Sequence, residues 1–171
     1  DENTDDEITE DDQIDIKKLK NHVKDTLIVN GLTGFVNQGN TCYLNCVLQC
    51  LMSTEYLISY FLDNEYEEDL NRNQLKYILK KKEQMGLNIK ITKNILNETK
   101  KNTMTYDFYT LLKNYWSEKG INITPKSIKK RIGKLSEDFS GSRQNDSEEA
   151  LNIILDKLHE ELLYSVEINN E

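Results

Sequence analysis

Three of the 171 residues are cysteines, and all of them, Cys42, Cys46 and Cys50, fall within nine consecutive positions. Cys42 carries the strongest chemical signal. Gly31, Gly34 and Gly39 alternate with Asn30, Asn37 and Asn40, a composition that permits positive φ and close backbone approach. Directly afterwards Leu44, Val47, Leu48 and Leu51 follow the i, i+3, i+4, i+7 rule. A glycine-rich loop therefore opens straight into an amphipathic helix over about residues 41–53, with Asn40 or Thr41 as N-cap and Cys42 in the first turn. A helix start presents unpaired N–H groups and partial positive charge, which stabilise a thiolate and donate to an oxyanion growing on a carbonyl under attack. Asn37, five residues upstream, offers a side-chain amide as a second donor. Thiol, helix start and amide are the parts of a covalent acyl-transfer site. The same placement also suits a buried structural cysteine, and spacing alone leaves both readings open. Cys46 and Cys50 follow at i+4 and i+8. Structural zinc sites use cysteine pairs about two to four residues apart across a turn. No metal or other cofactor is therefore expected, and the two thiols read as small residues packing beside the helix.

The string Gly34-Phe35-Val36-Asn37-Gln38-Gly39-Asn40-Thr41-Cys42-Tyr43-Leu44-Asn45-Cys46-Val47-Leu48-Gln49 resembles the cysteine box of the ubiquitin-specific proteases, with Phe35 in place of the usual Leu. A second segment, Gln144-Asn145-Asp146-Ser147-Glu148-Glu149-Ala150-Leu151, running on to Leu158-His159-Glu160-Glu161-Leu162, resembles that family's Gln-Gln-Asp box and its helix. There Asn145 replaces a Gln and Ala150 a usual aromatic. Trp116, Pro125 and Phe139 also match, so the resemblance covers roughly residues 31–165. It implies a mainly α chain, the helical thumb of a papain-like cysteine protease fold, with palm and fingers not present. By the same resemblance Cys42 is the nucleophile that attacks the carbonyl of ubiquitin's C-terminal glycine, and Asn37 is the oxyanion-hole residue. Asp146 is the acid that holds ubiquitin's arginine-containing tail, by pairing with an Arg or with backbone N–H groups, and Gln144 shapes the same cleft. Bland roles stand beside these: Asn37 bonding its own loop backbone, and Asp146 serving as a plain N-cap, which is compatible with tail binding.

The resemblance further implies a general base, a His far downstream oriented by an Asp or Asn. This sequence has only His22 and His159, one ahead of the nucleophile and one in a Leu-His-Glu context that is non-catalytic in the family. Three functions follow. The chain is part of a cysteine-dependent deubiquitinase whose partner is ubiquitin or ubiquitinated protein, the rest of the catalytic domain being supplied by further C-terminal sequence. Alternatively it is a catalytically inactive ubiquitin-binding pseudoprotease. A papain-like hydrolase fits less well, because that family's oxyanion Gln lies farther upstream of its Cys than Gln38 does.

Several helices must position these residues. Leu70, Gln74, Tyr77 and Ile78 mark one that ends near Met85-Gly86, with Lys80, Lys81 and Lys82 on its solvated face. Tyr106, Phe108, Leu111, Leu112 and Tyr115 recur at helical spacing up to Trp116. Thr124-Pro125 reads as N-cap and first residue of a short helix with Ile128 and Ile132 inward. A turn-rich stretch, residues 139–145, precedes Asp146 and Glu149, which form a capping-box-like start. Leu151, Ile154, Leu155, Leu158 and Leu162 then line one face of a helix over about 147–164. The helix at 41–53 is expected to be central, packed against 146–164 and 108–116. Residues 87–103 give no clear pattern, and residues 16–27 read as a short helix.

Composition bounds the rest. Hydrophobic content is 37% and charged content 30%, which fits one packed domain plus a solvated lead. Residues 1–15 hold nine acids (Asp1, Glu2, Asp5, Asp6, Glu7, Glu10, Asp11, Asp12, Asp15) and no base, so disorder is expected there. The boundaries drawn are 1–27 for the acidic lead and 28–171 for the thumb domain. Of 30 acids, 21 remain outside the first fifteen residues, against 22 bases, a net near +1. That offers no basic excess for nucleic acid. No apolar run approaches the ~18 residues of a bilayer span. Three unpaired thiols on one element do not form a secreted disulfide framework and fit a cytoplasmic or nuclear setting. The chain does not begin with Met and reads as a piece of a longer protein.

Overall fold

The computed structural model describes residues 33–88, 90–116 and 122–163. The short helix expected at 16–27, the acidic lead, the domain start at 28 and His22 lie outside them. The described residues are mainly α-helical, in keeping with a helical thumb. They contain no strand, only an isolated parallel bridge between Phe35 and Ile123. It is closed by Val36 N–H donating to Ile123 at 2.8 Å and Ile123 N–H donating to Gly34 at 2.9 Å. No described helix is long and apolar enough to cross a membrane.

Helix α1, Cys42–Met52, buries Tyr43, Leu44, Val47, Leu48, Leu51 and Met52 on one side. It stops where the hydroxyls of Ser53 and Thr54 turn back onto the carbonyls of Gln49 and Cys50, a local competitor to the helical ladder. Helix α2, Glu55–Leu62, follows at once. The sequence pattern did not reveal it, because only Ile58 and Phe61 are fully inward. Asn64, at φ 64°, reverses the chain into α3, Glu65–Gln84, whose first turn is acidic and whose last turn is basic, each matching the helix dipole. Gly86 at φ 60° ends it, where the sequence placed the stop. The uncertain stretch contains α4, Lys93–Lys101, capped by Thr92. Thr103 caps α5, Met104–Tyr115. Helix α6, Lys126–Leu135, begins one residue later than expected, with Pro125 itself at the cap. A 3-10 turn, Glu137–Phe139, leads to α7, Ser147–Leu162.

The hub of the packing is α7, not α1. Helix α7 touches α1, α3, α5 and α6, whereas α1 packs chiefly on α7 and α2 because its apolar stripe is one-sided. Side chains bridge α1 to the end of α5: the Tyr115 hydroxyl donates to Gln49 at 2.7 Å, and the buried Trp116 indole donates to the Met52 carbonyl at 3.1 Å. An aromatic cluster, Phe61 with Tyr66 and Phe108 and then Tyr66 with Tyr109, fills the core among α2, α3 and α5.

The inner face of α7 differs from the leucine stripe. Ala150, Ile154, Leu158 and Glu161 are buried, Leu151 and Leu162 are half-buried and Leu155 is 41% exposed. Glu161 explains the rotation. Its carboxylate accepts from Met104 N–H at 3.1 Å, Thr105 N–H at 2.8 Å and the Thr105 hydroxyl at 2.8 Å. It thereby meets the open first turn of α5 from another helix, where a negative charge is favoured. Arg131 plays the complementary part, pairing with Asp107 and donating to the carbonyls of Asn102 and Lys101 at the end of α4.

Glu161→Ala leaves two helix-start amides and a hydroxyl buried without an acceptor. It is expected to lower unfolding free energy by about 2–3 kcal/mol, read as a lower urea midpoint with an unchanged slope. Burial, aided by Asp69, raises the Tyr60 hydroxyl above its ordinary value of 10.0, and burial, aided by Tyr109, does the same to Tyr66. Above that value the unfolded chain releases these protons while the folded chain keeps them. Stability is therefore expected to be complete below about pH 10 and to fall as pH rises beyond it. Urea midpoints across pH 8–12 should show this, with a shallower fall in the Tyr60→Phe/Tyr66→Phe variant.

Candidate active site

The loop ahead of α1 is closed by two side chains. Asn37 Oδ1 accepts from Gly39 N–H at 3.0 Å, Thr41 N–H at 3.2 Å and the Thr41 hydroxyl at 3.0 Å. Thr41, almost fully buried, accepts in turn from Gln38 N–H at 2.9 Å. Gly39 at φ 87° and Asn40 at φ 49° make the tight reversal between them, which an ordinary side chain at Gly39 would strain. The local role of Asn37 is thus real, and it uses only the carbonyl end of the amide. The Nδ2 end is left to donate outward from an exposed residue.

Thr41 occupies the N-cap of α1 but makes no capping bond with its side chain, since its hydroxyl faces the loop. Thr92, Thr103 and Asp146 do cap their helices. The first turn of α1 therefore carries Cys42 together with N–H groups that no capping side chain claims, the arrangement that binds an anion at a helix start. No acidic residue lies in that turn.

All three cysteines are unpaired and exposed. Cys46 and Cys50 are not packed into the domain as expected. Steps of four residues from Cys42 keep them on the outer side of α1, while the leucines, valine and methionine take the inner side.

The second box lies beside the first. Asn40 Nδ2 donates to the Ser142 carbonyl at 3.0 Å, and Tyr43 meets Phe139 edge-on with ring centroids 5.7 Å apart. The turn can sit this close because of Gly133 on α6, where a Cβ would come within 2.9 Å of Ser140 Cα. Asp146 caps α7 through one oxygen, accepting from Glu148 N–H at 2.7 Å and Glu149 N–H at 3.4 Å. Asp146 also lines an open cleft of about 700 Å³, together with Gln144. Four acids line the cleft, Glu137, Asp138, Asp146 and Glu149, against a single base, Arg143. Motif reading overlooked Glu137 and Asp138. Their adjacency to the turn-rich stretch was the available signal, but only folding brings them into one cleft with Asp146. His159 is exposed and lies 13 residues beyond Asp146 on α7. That is about 20 Å of helix away from the Ser142 loop.

The exposed cysteine thus opens a helix, beside a loop amide and a cleft lined by acids. The family model described as ubiquitin carboxyl-terminal hydrolase matches residues 33–170, and the chain belongs to that family. It is 36% identical over 132 residues to ubiquitin carboxyl-terminal hydrolase 4 of Mus musculus, covering 77% of this chain and 11% of that protein. It is 35% identical over 132 residues to ubiquitin carboxyl-terminal hydrolase 15 of Homo sapiens, again 77% and 11%. With the Bos taurus hydrolase 4 it shares 34% over 137 residues, 80% of this chain and 12% of that one. The chain thus spans about a tenth of the length of the curated relatives it matches.

The outward stripe of α1 makes a direct prediction. Titration of the folded, reduced chain with a thiol-specific chromogenic disulfide should count three reactive thiols without denaturant. A count of one would mean that Cys46 and Cys50 are covered.

Proposed function

We propose that this chain carries the nucleophile, an oxyanion donor and part of the substrate-tail cleft of a cysteine-dependent deubiquitinase. The observation that carries the reading is the division of labour at the cysteine loop. The Asn37 carbonyl and the Thr41 hydroxyl are both committed to closing the loop, which leaves the Asn37 amide and the first-turn amides of α1 for a ligand.

In this reading the Cys42 thiolate attacks the carbonyl carbon of ubiquitin's C-terminal glycine, and a C–S bond forms. The oxygen takes the negative charge and accepts from Asn37 Nδ2 and a helix-start N–H. The C–N bond then breaks and the amine leaves with a proton from a general acid. Water hydrolyses the thioester and restores the thiol. Asp146 and Gln144 hold the extended tail, and the acids around the cleft favour its arginines. His159 stands at the far end of α7, and His22 precedes the nucleophile rather than following it as the family's base does, so this reading takes the acid–base group from outside these 171 residues. The pseudoprotease alternative shares the binding surface and lacks that group altogether.

The test is reaction of the whole protein with a ubiquitin bearing a C-terminal electrophile, followed by mass spectrometry. Modification at Cys42 is expected, and modification at Cys46 would sink the assignment. On a ubiquitin C-terminal fluorogenic amide, Asn37→Ala in the whole protein should lower turnover by about 10²–10³-fold. Cys42→Ala should abolish it. A whole protein that binds ubiquitin but shows no cysteine-dependent turnover favours the pseudoprotease. Residues 1–171 alone should show no turnover above the Cys42→Ala blank, and ordinary rates from them would make His22 or His159 the base.

A further inference from the structure

We propose that the solvent face of α6 is the docking surface of the chain's own acidic N-terminal segment, residues 1–15. Helix α6 reads Lys-Ser-Ile-Lys-Lys-Arg-Ile-Gly-Lys-Leu, five bases in ten residues with no acid. Ile128 and Ile132 turn inward. Two of the bases are already used: Lys129 donates to the Gly141 carbonyl at 2.8 Å, and Arg131 is held by Asp107 and the end of α4. Lys126, Lys130 and Lys134 remain, spaced i, i+4, i+8 along one exposed stripe. None of the three has an acidic partner within 4 Å among the described residues. They border an open depression of about 570 Å³ whose other walls are Gln38, Lys129, Gly133 and Ser140, with no carboxylate among them.

Charge and tether together select the occupant. Nine carboxylates and no base stand in residues 1–15, whereas the rest of the chain is close to neutral. The acidic segment is joined to the fold beside the lysine stripe. The Phe35–Ile123 bridge lies three residues ahead of Lys126, and Gln38 lines the depression itself. The seventeen residues 16–32 reach at most about 3.3–3.6 Å each, several times the ~15 Å length of α6. The segment can cover the stripe without strain, and covalent linkage gives it an effective concentration on the order of millimolar. The lysines of α3 compete poorly, because five acids share that helix with them. Docked on α6, the segment would border the loop that carries Asn37.

The experiment uses the full chain at low micromolar concentration. A mixture of isotopically light and heavy copies is treated with a carbodiimide, which joins carboxylates to amines in direct contact, at ~20 mM salt, and digested for mass spectrometry. Leaving aside the sequence neighbours Lys17, Lys18, Lys20 and Lys24, links from residues 1–15 are expected to fall chiefly on Lys126, Lys130 and Lys134, within one copy, and to drop roughly ten-fold at ~0.5 M NaCl, where the Debye length is a few ångströms. Hydrogen exchange is then compared with a full-length variant in which all nine acids are replaced by Asn or Gln. Side-chain docking on an exposed helix should slow opening of 126–135 several-fold in the parent and leave α1 and α5 unchanged. Links spread evenly over Lys76–Lys113, links joining light to heavy copies, links indifferent to salt, or identical exchange of α6 in both chains would each overturn the proposal.

Discussion

The buried hydroxyl of Thr41 is the contact on which the site turns. A threonine at this position of a helix ordinarily caps the first turn with its side chain. Here the hydroxyl accepts from Gln38 and donates to Asn37 instead. One consequence is a rigid loop, because a buried hydroxyl pairs at a substantial cost if either partner moves. The other is an unclaimed helix start at Cys42. Asn37 commits the carbonyl end of its amide to the loop, and under the proposed function its nitrogen is the end left for substrate. Aspartate could serve the first role and not the second, since an ionised carboxylate only accepts.

The fold holds the two boxes together by short-range fit rather than by a shared element. Asn40 reaches across 102 positions to Ser142, Tyr43 stacks edge-on with Phe139, and the missing side chain of Gly133 lets the turn settle on α6. Behind this front the hub helix α7 is fixed by a charge. Glu161 satisfies the start of α5 from the side, which locks the rotation of α7 and with it the direction of its capping residue, Asp146. Core polarity of this kind contributes to a unique arrangement, because a rotated α7 would strand a buried carboxylate.

Charge is sorted to different faces of the domain. The cleft beside Asp146 is rimmed by acids, while the neighbouring depression along α6 is walled by lysines, and Ser140 borders both. A near-neutral sum over residues 16–171 therefore conceals two adjacent surfaces of opposite sign. Each would draw a segment of the opposite charge, a basic tail to one and an acidic segment to the other, with the 139–146 loop between them.

Local signals carried far in this sequence. Apolar spacing determined α1, α5 and α6, Gly86 determined the end of α3, and Asp146 determined the start of α7, because caps, dipoles and one-faced stripes act within a turn or two of the chain. The cysteine loop was legible for the same reason: Gly39 and Asn37 shape only their own neighbours, although the reach of Asn40 to Ser142 was not. Tertiary structure decided what spacing could not. Helix α2 has too few inward residues to show a period. Ala150 and Glu161 took the inner face of α7 while Leu155 stayed outside, since the partner that makes a buried glutamate tolerable sits 56 positions away at Thr105. Cys46 and Cys50 face outward because α1 lies at the side of the bundle rather than at its centre. Which side of an element is buried depends on what packs against it, and a hydrophobic period cannot report a buried charge whose compensation comes from a distant helix start.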